Sequence, residues 1–211
     1  RVPSDDFLPG LRDLCTQSGA LLITDEIQGA MGRAGRWFSF ELWDVVPDIV
    51  AVAKSFGGGL PLGAFLSTPE IFSTFLDPPL SHLTTFGGNP VACAAAVAAF
   101  DVIESNGLLA DAETKGAELK RRLELMKEHF PNLISDVRGR GLWLAIDLPP
   151  DLIMPIVKEM ENRGVLVGSM LNSEGTMRIS PPLIVTEAEM DVFIGVLRAS
   201  LLAAKSGTFL V

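Results

Sequence analysis

Apolar residues recur at helical spacing over residues 7–18, then crowd onto consecutive positions in ALLITD, residues 20–25. The first pattern predicts an amphipathic helix, the second a strand buried on both faces. Glycines interrupt the chain from Gly29 to Gly35, and the aromatic patch that follows (Trp37, Phe38, Phe40, Trp43) reads as core. A second buried strand is expected over 48–53 and a third over 63–68. Residues 54–62 between them are fewer than the roughly dozen that a parallel crossover takes, so the third strand should run antiparallel to the second.

Asn89-Pro90 pairs an N-cap side chain with a proline at the first helical position. The helix it starts, VACAAAVAAFDVIE, is rich in small residues and must pack closely against something flat; Asn106-Gly107 ends it. From Leu108 to His129 a charged amphipathic helix opens a different texture. Short strands are expected at about 134–138 and 142–147, a helix at 151–163, and extended pieces near 165–168 and 176–179. The last helix begins with a capping box, Thr186 to Glu189, and runs to about Ala204. The pattern divides the chain into residues 1–106, α/β with a mostly parallel sheet, and 107–211, a smaller α+β unit. It contains neither repeats nor low-complexity segments.

Composition narrows the field. With 211 residues, 48% of them hydrophobic, there is apolar material for one large domain or two small ones. A net charge of −9 with no basic run disfavours nucleic acid and anionic membranes as partners. Cys15 and Cys93 have neither metal-ligand nor disulfide-framework spacing and read as reduced thiols of a cytoplasmic protein. No apolar run approaches the roughly 18 residues of a membrane span, and no signal peptide is visible. The chain opens on Arg1 and runs at once into a turn and helix, as the interior of a longer protein would.

The candidate chemistry sits at two strand ends. Lys54 follows the apolar run PDIVAVAK and precedes a glycine cluster, SFGGGLPLGA; the upstream run ALLIT ends in Asp25-Glu26. An amine at one strand end, a carboxylate at another and a flexible loop beside the amine suit a Schiff-base aldehyde cofactor. The amine condenses with the aldehyde, and the carboxylate keeps the ring nitrogen protonated so that the ring can take up electrons. LLITDE alone also fits the acid that holds Mg²⁺ in phosphate-loop NTPases, but that reading needs GxxxxGK[ST], and here Lys54-Ser55 precedes its glycines. TTFGGNP, Thr84 to Pro90, adds hydroxyls and backbone donors ahead of a helix N-terminus, a setting suited to an anionic phosphate. Asn89 and Pro90 are needed for capping, so Thr84 and Thr85 are the better candidates there.

DEIQGAMGRAGRWF, PDIVAVAKSFGGGLPLGA and HLTTFGGNPVACAAA, in this order and spacing, resemble the class III (ω-)aminotransferases, the pyridoxal-phosphate family that includes acetylornithine, ornithine and 4-aminobutyrate aminotransferases. The likeness continues through DVRGRGLWLAIDL and MRISPPLIVTEAEMD. It implies a fold-type I PLP-dependent transferase, α/β, with residues 1–106 as the later part of the cofactor-binding large domain and 107–211 as the small C-terminal domain. It implies pyridoxal 5'-phosphate as cofactor, with Lys54 as the lysine that condenses with it and moves the proton at the substrate α-carbon. Asp25 is then the ring-nitrogen partner, and Gln28 lies near the 3-hydroxyl. Thr85 is similar to the threonine that reaches the phosphate of the neighbouring subunit, which makes a homodimer with a shared active site the functional unit. Arg178 is similar to the arginine that holds a substrate carboxylate, bidentately. For Arg33, Arg138 and Arg140, set in glycine-rich turns, structural roles are expected.

The sequence also departs from that family's pattern. Gly29-Ala30 stands where Thr-Gly is usual, and Leu83-Thr84 where Gly-Ser is common. The family's N-terminal half, with its phosphate loop, ring-stacking aromatic and paired acid, has no counterpart in these residues. The expected reaction transfers an amino group between a small-molecule amino donor and an oxo acid or aldehyde. Aminomutase, racemase and decarboxylase members share the quoted motifs. From another class comes the alternative of a non-catalytic fragment that needs the missing N-terminal segment or chain.

Overall fold

The computed structural model describes residues 1–170 and 173–209, which divide into two compact units, Pro3–Leu109 and Ala110–Val211 with Arg1–Val2. In the first, helix α1 (Phe7–Ser18) ends at Gly19 in the left-handed conformation. Strands β1 (Ile23–Asp25), β2 (Ile49–Val52) and β3 (Ala64–Ser67) form a sheet in that order. β1 and β2 are parallel, and β3 is antiparallel to β2, as its short connection requires. The sheet is therefore mixed. Asp48 ties it to α1: its Oδ2 accepts from Arg12 Nη1 and from the Leu22 N–H, both at 2.6 Å. The Arg12 guanidinium, then the backbone bond, holds this carboxyl below the usual carboxylate range.

β1 is not buried on both faces. Alternation puts Leu22 and Thr24 on the covered side, whereas Leu21 and Ile23 are 53% and 60% exposed. On β2, Val50 and Val52 belong to the covered side, Val52 being only 2% exposed. The run of consecutive apolar residues in ALLITD thus reflects two potential surfaces, and the residues here cover one. The aromatic patch is half-buried rather than core. Ser39–Trp43 form a 3-10 turn, Phe38 stacks on Phe40 at 5.3 Å, and Trp37 packs on Phe100 at 5.0 Å. A short helix α2 (Pro69–Phe72), which sequence periodicity had not suggested, precedes the loop to α3 (Pro90–Ser105). Asn89 caps α3 as expected, its Oδ1 accepting from the N–H groups of Val91 and Ala92.

The second unit takes α4 (Leu108–His129) from its third residue onward. Strands β4 (Asp136–Arg140), β5 (Trp143–Asp147), β6 (Gly168–Met170) and β7 (Ser173–Ile179) make an antiparallel sheet in the order β4-β5-β7-β6. Helix α5 (Pro150–Asn162) and helix α6 (Glu187–Ser206), opened by the Thr186–Glu189 capping box, complete it. Val137, Leu144, Ile146, Met177 and Ile179 form the core face of the sheet, packed with Leu119, Leu123, Ile156, Met160 and Leu197 of the helices. Each such side chain contributes about 1.5–3 kcal/mol of burial. Among the described residues no single helix is long and apolar enough to cross a membrane.

Candidate active site

β1 and β2, being parallel and in register from Ile23–Ile49 to Asp25–Ala51, bring their carboxyl ends to one edge of the sheet. Asp25 ends the first, and Lys54 lies just past the second. Ligands of open α/β sheets bind outside that edge. Both side chains are exposed, and among the described residues the Lys54 ammonium has no ion-pair or hydrogen-bond partner. Asp25 Oδ1 accepts from the Ile27 N–H at 3.0 Å, so one oxygen closes a turn and Oδ2 is left for another donor.

Lys54 has φ +54°, a left-handed conformation that costs a residue with a Cβ about 1–2 kcal/mol. Its surroundings enforce it. The 3-10 turn Lys54–Gly57 leads into Gly58, also left-handed, where a Cβ would lie 2.4 Å from the Ala95 carbonyl oxygen and 3.3 Å from Ala99 Cβ. The alanines of α3 are thus the flat seat of the lysine loop. Phe56 meets Phe100 edge-on at 5.9 Å, and the same Phe100 receives Trp37 from the segment after Asp25. One aromatic of α3 therefore fastens both strand-end loops. The sequence reading did not single out Phe100, although it is the one bulky residue at the end of an alanine-rich stretch.

Gln28 is exposed in the turn directly after Asp25 and Glu26. Thr85 is exposed too, at the start of the turn 85–88 before α3. Because Asn89 already satisfies the first N–H groups of α3, the free donors of that segment are hydroxyls and turn amides. Asp25 and Glu26 have opposite fates. Glu26 is 2% exposed, and its carboxylate accepts from Ser39 N–H (2.9 Å), Ser39 Oγ (2.6 Å) and Phe40 N–H (3.1 Å).

Arg178 belongs to the second sheet, on β7. Registers align Arg138, Ala145, Arg178 and Gly168 across the four strands, on the face opposite the core. Arg138 is engaged there: its guanidinium forks onto Asp147 at 2.6 and 2.8 Å and reaches Asp136 at 2.7 Å. Those bonds lower the Asp147 pKa and raise that of Arg138. Arg33 and Arg140 are held by interactions as well. Arg178 differs, having no carboxylate partner among the described residues. It is flanked by Ala145 and by Gly168, where a Cβ would stand 3.4 Å from Nη2. The guanidinium lies against the glycine, where a Cβ would also stand 3.8 Å from Nε.

The sequence matches the family described as Aminotransferase class-III over residues 1–201. The chain belongs to that family. The fold of this class III aminotransferase chain agrees with solved structures. It is similar to an S-selective transaminase from Arthrobacter sp., with TM-score 0.90 and 27% identity over 99% of this chain and 50% of that one. It is similar also to the ornithine aminotransferase from Toxoplasma gondii ME49, with TM-score 0.90 and 32% identity over 98% of this chain and 49% of that one. A transaminase from the marine bacterium Virgibacillus gives TM-score 0.91 at 25% identity, covering 98% and 50%. The class III chain thus spans about half the length of the solved structures it matches. Its α/β architecture is that of part of a fold-type I PLP-dependent transferase.

Proposed function

We propose that this chain carries the lysine half of a pyridoxal-phosphate aminotransferase site, in an enzyme that moves an amino group from an amino acid or amine to an oxo acid or aldehyde. The observation that carries the reading is Lys54: a strained lysine, unpaired among the described residues, at the carboxyl end of β2, beside Asp25 at the end of β1. These residues suit the cofactor, whose bound ring supplies an electron sink for charge developing at the substrate α-carbon.

Lys54 would be the amine that holds the cofactor's aldehyde, and with a substrate amine bound it would serve as the base that moves the proton at the α-carbon. Asp25, whose Oδ1 already accepts from Ile27 N–H, would use Oδ2 to keep a proton on the ring nitrogen, and Gln28 would serve the 3-hydroxyl. Thr85 would donate its hydroxyl to the phosphate bound by a second subunit. The exposed Leu76, Leu80, Leu83 and Phe86 around Thr85 support a homodimer contact in this segment. Arg178, which has no carboxylate partner among the described residues, would bind a substrate carboxylate through its planar fork.

On this reading residues 1–106 belong to the large, cofactor-binding domain and 107–211 form the small domain. The exposed Leu21 and Ile23 support a reading in which a further part of the enzyme covers this face of the sheet. The two free thiols, Cys15 and Cys93, support a cytoplasmic setting. Borohydride reduction of the complete, cofactor-loaded protein followed by peptide mapping tests the proposal. The label is expected on Lys54, and Lys54→Ala should lose several orders of magnitude of turnover. A label on another lysine, with Lys54 unmodified, overturns it.

A further inference from the structure

We propose that Glu26 is a positioning residue for Asp25, acting through a buried clasp with Ser39 and Phe40; the inference rests on the reading of Asp25 as the acid at the ring nitrogen. A carboxylate withdrawn from water is costly unless donors surround it. Glu26 is 2% exposed and has three: Oε2 accepts from Ser39 N–H, and Oε1 from Ser39 Oγ and Phe40 N–H.

Its backbone is held as well. The Glu26 N–H extends the parallel ladder to the Ala51 carbonyl at 2.9 Å, and its own carbonyl accepts from Ala30 N–H at 3.1 Å. That second bond closes the turn containing Ile27, whose N–H engages Asp25 Oδ1, and Gln28. The clasp therefore sets the direction in which Asp25 Oδ2 points. Gly29 lies against it: a Cβ there would lie 2.6 Å from Glu26 Oε2 and 2.7 Å from Ser39 Oγ, so a side chain at this position would press on the clasp and shift it.

The test uses the complete enzyme with pyridoxal phosphate. Two readouts are taken: the cofactor's dissociation constant and the pH dependence of its visible absorption band. Asp25→Asn, Glu26→Gln, Ser39→Ala and Gly29→Ala are compared with Ile103→Ala, a buried α3 substitution in the same unit that serves as a stability control. Glu26→Gln is expected to weaken cofactor binding roughly 10-fold, as loss of an outer-shell partner does, and to shift the band in the direction given by Asp25→Asn. Ser39→Ala and Gly29→Ala should move both readouts the same way by less, and Ile103→Ala should lower Tm alone.

Parental affinity and band in the Glu26, Ser39 and Gly29 variants, with Asp25→Asn altered, overturn the positioning role only. An inert Asp25→Asn removes the reading of Asp25 and this inference together. If Glu26→Gln does not fold, Ser39→Ala and Gly29→Ala, which keep the charge, decide the question.

Discussion

The two units bury their apolar residues very differently. In residues 110–211 the sheet sends Leu144, Ile146 and Met177 into a core closed by α4, α5 and α6, and these side chains are fully buried. In residues 3–109 Leu14, Leu21, Ile23, Leu66, Leu83, Phe86, Val91 and Val97 are exposed. The difference lies in the number of layers. An antiparallel sheet with helices on one face and an ion-paired polar face on the other satisfies itself. A mixed sheet of three strands with an apolar edge strand does not. The chemistry stands on the second kind of scaffold. Lys54 and Asp25 lie on this unit, and its exposed apolar surface supports the proposal that the activity belongs to an assembly.

Separating the units should break the comparison most visibly. Residues 110–211 expressed alone are expected to unfold cooperatively in denaturant, whereas 3–109 alone should aggregate. If the site is completed by a further N-terminal half as proposed, residues 1–211 alone should bind pyridoxal phosphate weakly or not at all. Sedimentation together with chemical unfolding reads this, and a soluble, cooperatively unfolding 3–109 would remove the contrast.

Paired truncations sharpen it. Leu144→Ala should cost about 2–5 kcal/mol through the cavity it leaves. Ile23→Ser, on the open face, should change stability by no more than about 0.5 kcal/mol while improving solubility. Denaturation midpoints of the two variants measure the difference, and equal losses would mean that the β1 face is covered in this chain.

A smaller effect is expected at Arg178. Lysine keeps the charge but not the fork, so Arg178→Lys in the complete enzyme should raise KM for carboxylate substrates roughly tenfold, about 1.4 kcal/mol. Gly168→Val, crowding Nη2, should act in the same direction. Simple amines should be little affected, and equal effects on both substrate classes would return Arg178 to a structural role.

The smallest concerns Asp147. Its folded pKa is depressed, by the Arg138 bond above all, so its contribution is fully present above the unfolded value near 3.9 and is lost as pH falls through the folded pKa. Asp147→Asn should therefore cost about 1 kcal/mol at neutral pH, reduced by partial solvent exposure. The variant and parent should converge in strong acid. A constant difference across pH would show that the charge is not responsible.

Much of this was legible in the residues. Helical spacing located α1, α4 and α6, capping chemistry located the starts of α3 and α6, and the brevity of residues 54–62 set β3 antiparallel. The strand-end positions of Asp25 and Lys54 could be read because an apolar run ending in a polar residue is a local signal. Less local facts were hidden. Nothing in Asp25-Glu26 says which carboxylate faces outward; alternation across the sheet and the distant Ser39 decide it. The aromatic patch reads as core until the half-covered surface around Trp37 and Phe40 is seen.

Residue order by itself determined the period and ends of the elements and the kinds of chemical group at the strand ends, because propensity, capping and turn length act over a few neighbouring residues. Only the tertiary structure decided that Leu21 and Ile23 stay open while Val52 is closed, that Phe100 fastens two loops, and that Arg138 is paired where, among the described residues, Arg178 is not. Burial and pairing depend on which surface or donor comes from a remote part of the chain, and a linear pattern carries no record of that.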